Sequence, residues 1–185
     1  AHDHAAMGHD HAAMGQSQPV LGQSTYTATD LVFLAHMIVH HRQALELCER
    51  VPASSGRDEF QRFARYLHDA QQNEIAMMQG LLDQAASRGA TIPPQKLDGD
   101  PPMEGMLTRS QMASIGKARG RDFERLWLEG MIQHHQGGVA MAMAQQVAQH
   151  ASGNQPWGVD VLVDDMLTVQ RAEIGKMQEW LLAWR

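Results

Sequence analysis

Apolar side chains recur at steps of three and four residues through most of this chain, the period of an α-helix that turns one face to a core. The first stripe is Leu34, Met37/Ile38, His41, Ala44/Leu45 and Cys48, and it predicts a helix over about 29–50. Pro52 and the Ser-Ser-Gly after it break the pattern. Phe60, Phe63, Leu67, Ala70, Glu74, Met77/Met78 and Leu81 carry a second stripe and predict a helix over about 57–88, with Gly89 as its stop. A linker follows over 89–108, where four of the seven prolines fall. Thr108 and Gln111 have the spacing of a capping box and open a short helix near 109–117. A third long helix is predicted over about 121–150. Asn154, Pro156 and Gly158 mark the next turn. The last helix then carries Leu162, Met166, Val169, Glu173, Met177, Trp180 and Trp184 on its stripe to the end of the chain.

The pattern is written twice. Leu34-Ala-His-Met-Ile-Val-His-His41 matches Leu128-Glu-Gly-Met-Ile-Gln-His-His135, 94 positions later (128 − 34). Gln71-Gln-Asn-Glu-Ile-Ala-Met-Met78 matches Gln170-Arg-Ala-Glu-Ile-Gly-Lys-Met177, 99 positions later (170 − 71). Each half therefore carries M-I-x-H-H on its first helix and Q-x-x-E-I-x-x-M on its second. Two hairpins with one apolar stripe per helix bury those stripes against each other. The expected fold is all-α: a four-helix bundle of two duplicated helical hairpins, with halves of about 29–88 and 109–185, preceded by a flexible tail over 1–28.

Composition narrows the function. The net charge of −6 carries no basic stripe, so nucleic acid is not an expected partner. No apolar run approaches the ~18 residues that span a bilayer. One cysteine, Cys48, allows no internal disulfide, and it continues the first stripe as a small buried hydrophobe. Met and His are abundant, at 13 and 11. Scattered Met usually fills core gaps, but gap filling does not account for the histidines. Residues 2–8, His-Asp-His-Ala-Ala-Met-Gly, are repeated unchanged as residues 9–15. This segment has no core-forming residues, and it sets imidazoles beside thioethers at His2, His4, Met7, His9, His11 and Met14. Imidazole suits Cu(II), and thioether suits Cu(I). The tail is therefore expected to capture copper in either state. A free amine at Ala1, beside His2, would add a Cu(II) donor. A chain beginning at Ala1, rich in Met and His and poor in thiol, fits a mature protein whose signal peptide has been removed, in the periplasm or secreted.

The histidine pairs carry the second expectation. Adjacent helical residues point about 100° apart, so the stripe turns His41 and His135 inward and leaves His40 and His134 on the flank. Met37 and Met131 lie one turn before the inward histidines, and His36 lies one turn before His40. Met78 and Met177 belong to the repeated motif and join the candidate ligands. Glu74 and Glu173 interrupt apolar stripes, and a buried carboxylate wants a partner. Each is expected to orient an inward histidine or to reach the metal itself. His135 and Glu173 are centred on residue 154, inside the turn, so they should be level. His41 and Glu74 are centred near residue 57, beyond the turn expected at Pro52, and should be offset by about 10 Å. Met103, Met106 and Met112 have the spacing of a soft-metal clamp, or could simply cover the bundle.

The segments F-L-A-H-M-I-V-H-H-R-Q-A, G-M-L-T-R-S-Q-M and F-E-R-L-W-L-E-G-M-I-Q-H-H-Q-G-G-V-A-M-A resemble the bacterial domain-of-unknown-function 305 family over roughly 29–185. Its members include periplasmic copper-binding proteins of the CopM type. The resemblance implies a ferritin-like four-helix bundle and, for some members, copper binding and copper tolerance. This chain departs from the pattern in its first copy, where His36 stands in place of the Gly before Met. The reading that follows is an exported copper-binding protein, not an enzyme. It would hold Cu(I), and also Ag(I) or Cu(II), for sequestration, transfer or tolerance. Its partners would be metal ions and a copper exporter or another periplasmic copper protein. Two alternatives stand beside it. A ferritin-like di-metal oxidase would need four carboxylates and two E-x-x-H motifs, and no E-x-x-H occurs here. A helical interaction module would use the histidines for packing alone.

Overall fold

A computed structural model describes residues 25–184. Thr27 opens the first helix with a capping box: its hydroxyl accepts from the Asp30 N–H, and the Asp30 carboxylate accepts from the Thr27 N–H at 2.7 Å. The helices are α1 (Ala28–Glu49), α2 (Val51–Ser54), α3 (Asp58–Ser87), α4 (Arg109–Lys117), α5 (Gly120–Ser152) and α6 (Trp157–Ala183). The capping box expected at Thr108 and Gln111 opens α4. No strand occurs among the described residues. The chain is all-helical. Most of the expected tail lies outside the described residues, and its last residue, Ala28, already belongs to α1.

The four long helices lie side by side, each antiparallel to its neighbours. Tyr26 reaches Gln84 between α1 and α3. Across α1 and α5, Asp30 accepts from Gln145, and the Trp127 indole N–H donates to Leu47 O at 2.8 Å. Phe60 and Phe63 meet Trp180 and Trp184 where the start of α3 faces the end of α6.

The first turn departs from the sequence expectation. Pro52 sits in the first turn of α2, where its missing N–H is not needed. Helical rise therefore continues from α1 through residue 54, and the reversal is confined to residues 55–57. Its centre is near residue 56 ((54 + 58)/2), which brings His41 level with Glu74 and removes the expected offset. Ser55 and Arg57 fix this turn to α5. The Ser55 hydroxyl donates to Glu124, the Arg57 guanidinium donates to the other Glu124 oxygen at 3.2 and 3.3 Å, and it lies 4.0 Å from the Trp184 ring.

The core is divided. One apolar cluster gathers Leu47, Phe60, Trp127, Met131, Met177 and Trp180. The other gathers Leu34, Met37, Ile38, Met78, Leu82 and Met166. The repeated histidines and glutamates lie between the two in sequence on all four long helices. The linker closes over α5 at a backbone contact between Gly105, at φ +83°, and Gly137. A Cβ on either would fall 2.3–2.5 Å from the other's Cα. The Gln43 side chain pins the linker by donating to Leu107 O and accepting from Leu107 N.

Two glycine substitutions should move stability in opposite directions. Gly137→Ala forces the linker off α5 and should cost about 1–3 kcal/mol in urea unfolding. Gly175→Ala meets no atom within 4 Å and should stabilise α6 by about 0.5–1 kcal/mol. A Gly137→Ala chain as stable as the parent would contradict the linker contact.

Candidate metal centre

All four paired histidines are buried: His40 and His41 on α1, and His134 and His135 on α5. The expectation that His40 and His134 would lie on an outer flank is corrected. The reason is the packing of α1 and α5. Each packs against its hairpin partner on one side and against the other hairpin on another. Adjacent side chains point about 100° apart, so with two packed sides both histidines of a pair find a buried face.

His41 and His135 turn toward their own hairpins. His41 Nε2 lies 2.5 Å from Glu74 Oε2, and His135 Nε2 lies 2.9 Å from Glu173 Oε2. With the carboxylates ionised, both Nε2 atoms carry the proton and donate. That leaves Nδ1 as the ring position open to a ligand, and neither Nδ1 has a hydrogen-bond partner. This is the arrangement in which a carboxylate fixes the tautomer and orientation of a ligating imidazole. Glu74 and Glu173 thus each stand within hydrogen-bond reach of an inward histidine.

His40 and His134 turn toward each other across the two hairpins, with ring centroids 3.8 Å apart. His134 Nε2 donates to the His40 carbonyl at 2.9 Å. Neither nitrogen of His40 has a partner. Burial, then the neighbouring histidines His134, His41 and His135, hold the His40 imidazole well below its ordinary pKa. Burial and then His135 do the same for His134, against the opposing effect of its bond to the His40 carbonyl. Both rings are neutral at neutral pH, the protonation state in which imidazole ligates.

Gln71 and Gln170, one turn before the two glutamates, are buried with unpartnered Oε1 atoms. Sequence reasoning gave these glutamines no role, although Q-x-x-E is repeated in both halves. Gly138 also had no assigned role. A Cβ there would meet Gln170 Oε1 at 2.6 Å and His40 Cε1 at 3.4 Å, so the missing side chain makes room for both groups.

The candidate thioethers Met37, Met78, Met131 and Met177 are fully buried. Met37 and Met78 stand one turn from His41 and Glu74 and belong to one apolar cluster. Met131 and Met177 stand one turn from His135 and Glu173 and belong to the other. The methionines of each half thus border the polar layer from opposite ends of the core. Among the described residues, no three His, Cys, Asp or Glu side chains form a group that could hold a metal ion. An ion in this layer would need thioether or amide donors beside imidazole.

Other candidates sit apart. His36 is half-buried on α1. Met103 is half-buried in the linker, and Met106 is buried there outside both apolar clusters, its carbonyl accepting from Gln133. Cys48 is buried, and that burial pushes its thiol up to about 12, so it stays protonated and inert. The tail residues His2, His4, Met7, His9, His11 and Met14 lie outside the described residues.

A family model described as Domain of unknown function (DUF305) matches residues 30–181. A solved DUF305 protein from Streptomyces coelicolor, named as secreted, is 30% identical, with 84% of this chain and 93% of that chain covered and a TM-score of 0.70. A DUF305 fragment from Deinococcus radiodurans is 27% identical, with 84% and 96% covered and a TM-score of 0.72. CopM in its Cu(I)-bound form is 25% identical, with 86% and 98% covered and a TM-score of 0.66. CopM has also been solved with Cu(II) and with silver. Comparison with curated proteins gives no match.

The neutral pair makes stability pH-dependent. The folded pKa values of His40 and His134 lie below the unfolded value, near 6.5. The unfolded chain therefore takes up protons first as pH falls. Stability should be complete above about pH 6.5 and decline below it, by up to about 1.4 kcal/mol per pH unit for each ring. In denaturant unfolding of the metal-free chain at pH 7.5 and 5.5, His40→Gln should show a smaller loss than the parent. An equal loss would contradict the burial of a neutral His40.

Proposed function

This chain belongs to the DUF305 family, and we propose that it binds copper and acts outside the cytoplasm in copper sequestration, transfer or tolerance. The observation that carries this reading is the set of unpartnered imidazole nitrogens on His40, His41 and His135, buried in the core and neighboured by thioethers. A buried polar atom without a partner costs about 1–3 kcal/mol, and a bound soft cation would offset that cost. The likeness to CopM, solved with Cu(I), Cu(II) and silver, supports copper as the ion. The likeness to a protein named as secreted supports an exported location. No described helix is long and apolar enough to cross a membrane.

In this reading the architecture is a ferritin-like four-helix bundle. Met37, Met131, Met78 and Met177 join the histidines as donors for Cu(I). The tail histidines and methionines capture Cu(I) or Cu(II), and a copper exporter or another periplasmic copper protein exchanges the ion. The protein is a binder, not an enzyme. A di-metal oxidase would need bridging carboxylates, and the two glutamates of this layer are each engaged by a histidine.

The test uses the full chain with the tail silenced by His2→Ala, His4→Ala, Met7→Ala, His9→Ala, His11→Ala and Met14→Ala. Anaerobic Cu(I) titration should show retained copper, displaced by Ag(I) but not by a large excess of Zn(II). Equal competition by zinc would leave the methionines as packing and the histidines as the whole site. No bound copper would favour the interaction module.

A further inference from the structure

The helices α3 and α6 meet at their two ends. Phe60 and Phe63 pack on Trp180 and Trp184 at one end, and Leu81 packs on Gly158 at the other. Between these contacts lies a cleft of about 190 Å³, bordered by Tyr66, Gln71 and Glu74 from α3 and by Asp165, Gln170 and Glu173 from α6. No Lys or Arg lines it. Three of its groups are carboxylates. Asp165 is exposed at the rim, while Glu74 and Glu173 lie deeper, each with an oxygen on His41 or His135. Burial, then the charge of Glu74 and a hydrogen bond to it, then the charge of Glu173, hold the Asp165 carboxyl above its ordinary range.

A second observation is independent of the carboxylates. Gln71 and Gln170 also line the cleft, both more than nine-tenths buried, and each has an Oε1 without a partner. The Gln170 oxygen faces Gly138 and His40 on the core side of the cleft, so an acceptor without a partner stands between the carboxylates and a buried imidazole. The carboxylates and histidines do not converge as a chelating set among the described residues. That suits passage of a hydrated ion better than its permanent capture.

We propose that the α3–α6 cleft is the port by which a hydrated copper ion reaches the buried histidines, with Asp165 setting the rate of capture and Glu74 and Glu173 passing the ion inward. The inference rests on the copper reading above. In this arrangement the two inner glutamates face both ways: one oxygen orients a histidine, and the carboxylate borders the cleft. A cation drawn in by Asp165 meets Gln71 and Gln170, one helical turn before Glu74 and Glu173, as it sheds water.

The experiment is stopped-flow mixing of the tail-silenced full chain with Cu(II) sulfate in a non-coordinating buffer, read by quenching of Trp127 and Trp180 fluorescence, with copper per chain measured at saturation. Charge at a cleft mouth changes association rates by about 10–10³-fold. Asp165→Lys should therefore load at least about tenfold more slowly at low ionic strength, and Asp165→Asn should fall between it and the parent. The rates should converge as salt rises. Copper per chain at saturation should not change. Asp98→Lys makes the same charge change on the exposed linker and should load at the parental rate. If Asp165→Lys and Asp165→Asn load as fast as the parent while copper still saturates, the port is overturned and the copper reading stands. If Asp98→Lys is slowed equally, the effect is net charge alone and the port is again overturned. If the tail-silenced parent binds no Cu(II), the port is overturned, and if the anaerobic Cu(I) titration also shows none, the copper reading fails with it.

Discussion

Burying an ionisable side chain without a partner is among the costlier things a small core can do. This chain places four histidines and two glutamates on the helix stretches between its two apolar clusters. The fold depends on how those six groups are satisfied. The two His–Glu contacts fix the level of α3 against α1 and of α6 against α5. Removing one partner of such a buried pair typically costs about 3–5 kcal/mol. The His40–His134 contact does the same across the hairpins, where one imidazole donates to the other chain segment's carbonyl and the rings remain neutral. The apolar clusters supply the driving force on either side, and the polar groups between them set the register.

The duplication explains why the layer is nearly, but not fully, symmetric. Each half contributes Met, His, Gln and Glu at matching positions, and the antiparallel packing of α1 on α5 sends the methionines of the two halves toward opposite ends. The departures follow the linker, which has no second copy. Gly130, the match of His36 (36 + 94), makes room for Leu107 and Ile115. Gly137 admits the linker backbone, and Gly138 admits Gln170 beside His40. The carbonyl bond is also one-sided, so His40 alone keeps both nitrogens unpartnered. The two halves therefore present unequal sets of unpartnered nitrogens.

Much of this was legible in the sequence. The helical period gave the long helices, the repeat gave the two hairpins, and the midpoint at residue 154 gave the His135–Glu173 pair. Two features were hidden, each for a physical reason. Pro52 looked like a stop, but proline is at home in a first helical turn, so α2 carried the first arm further and brought Glu74 to His41. The flanking histidines looked exposed because a single stripe assumes one buried face, whereas α1 and α5 each pack on two sides. The glutamines were visible as half of a repeated motif, but a neutral amide gives no sign in sequence of whether it will be left without a partner. The cleft between α3 and α6 depends on helix spacing, which the sequence pattern does not encode.

The central claim is that the buried imidazoles, and not the tail alone, hold copper. The most direct measurement is the anomalous difference map of a copper-loaded crystal of the full chain, recorded at the copper absorption edge. The account predicts a peak inside the core, within bonding distance of Nδ1 of His41 or His135 or of a His40 nitrogen. Peaks confined to the tail or the outer surface, with His41 and His135 still paired only to Glu74 and Glu173, would contradict it.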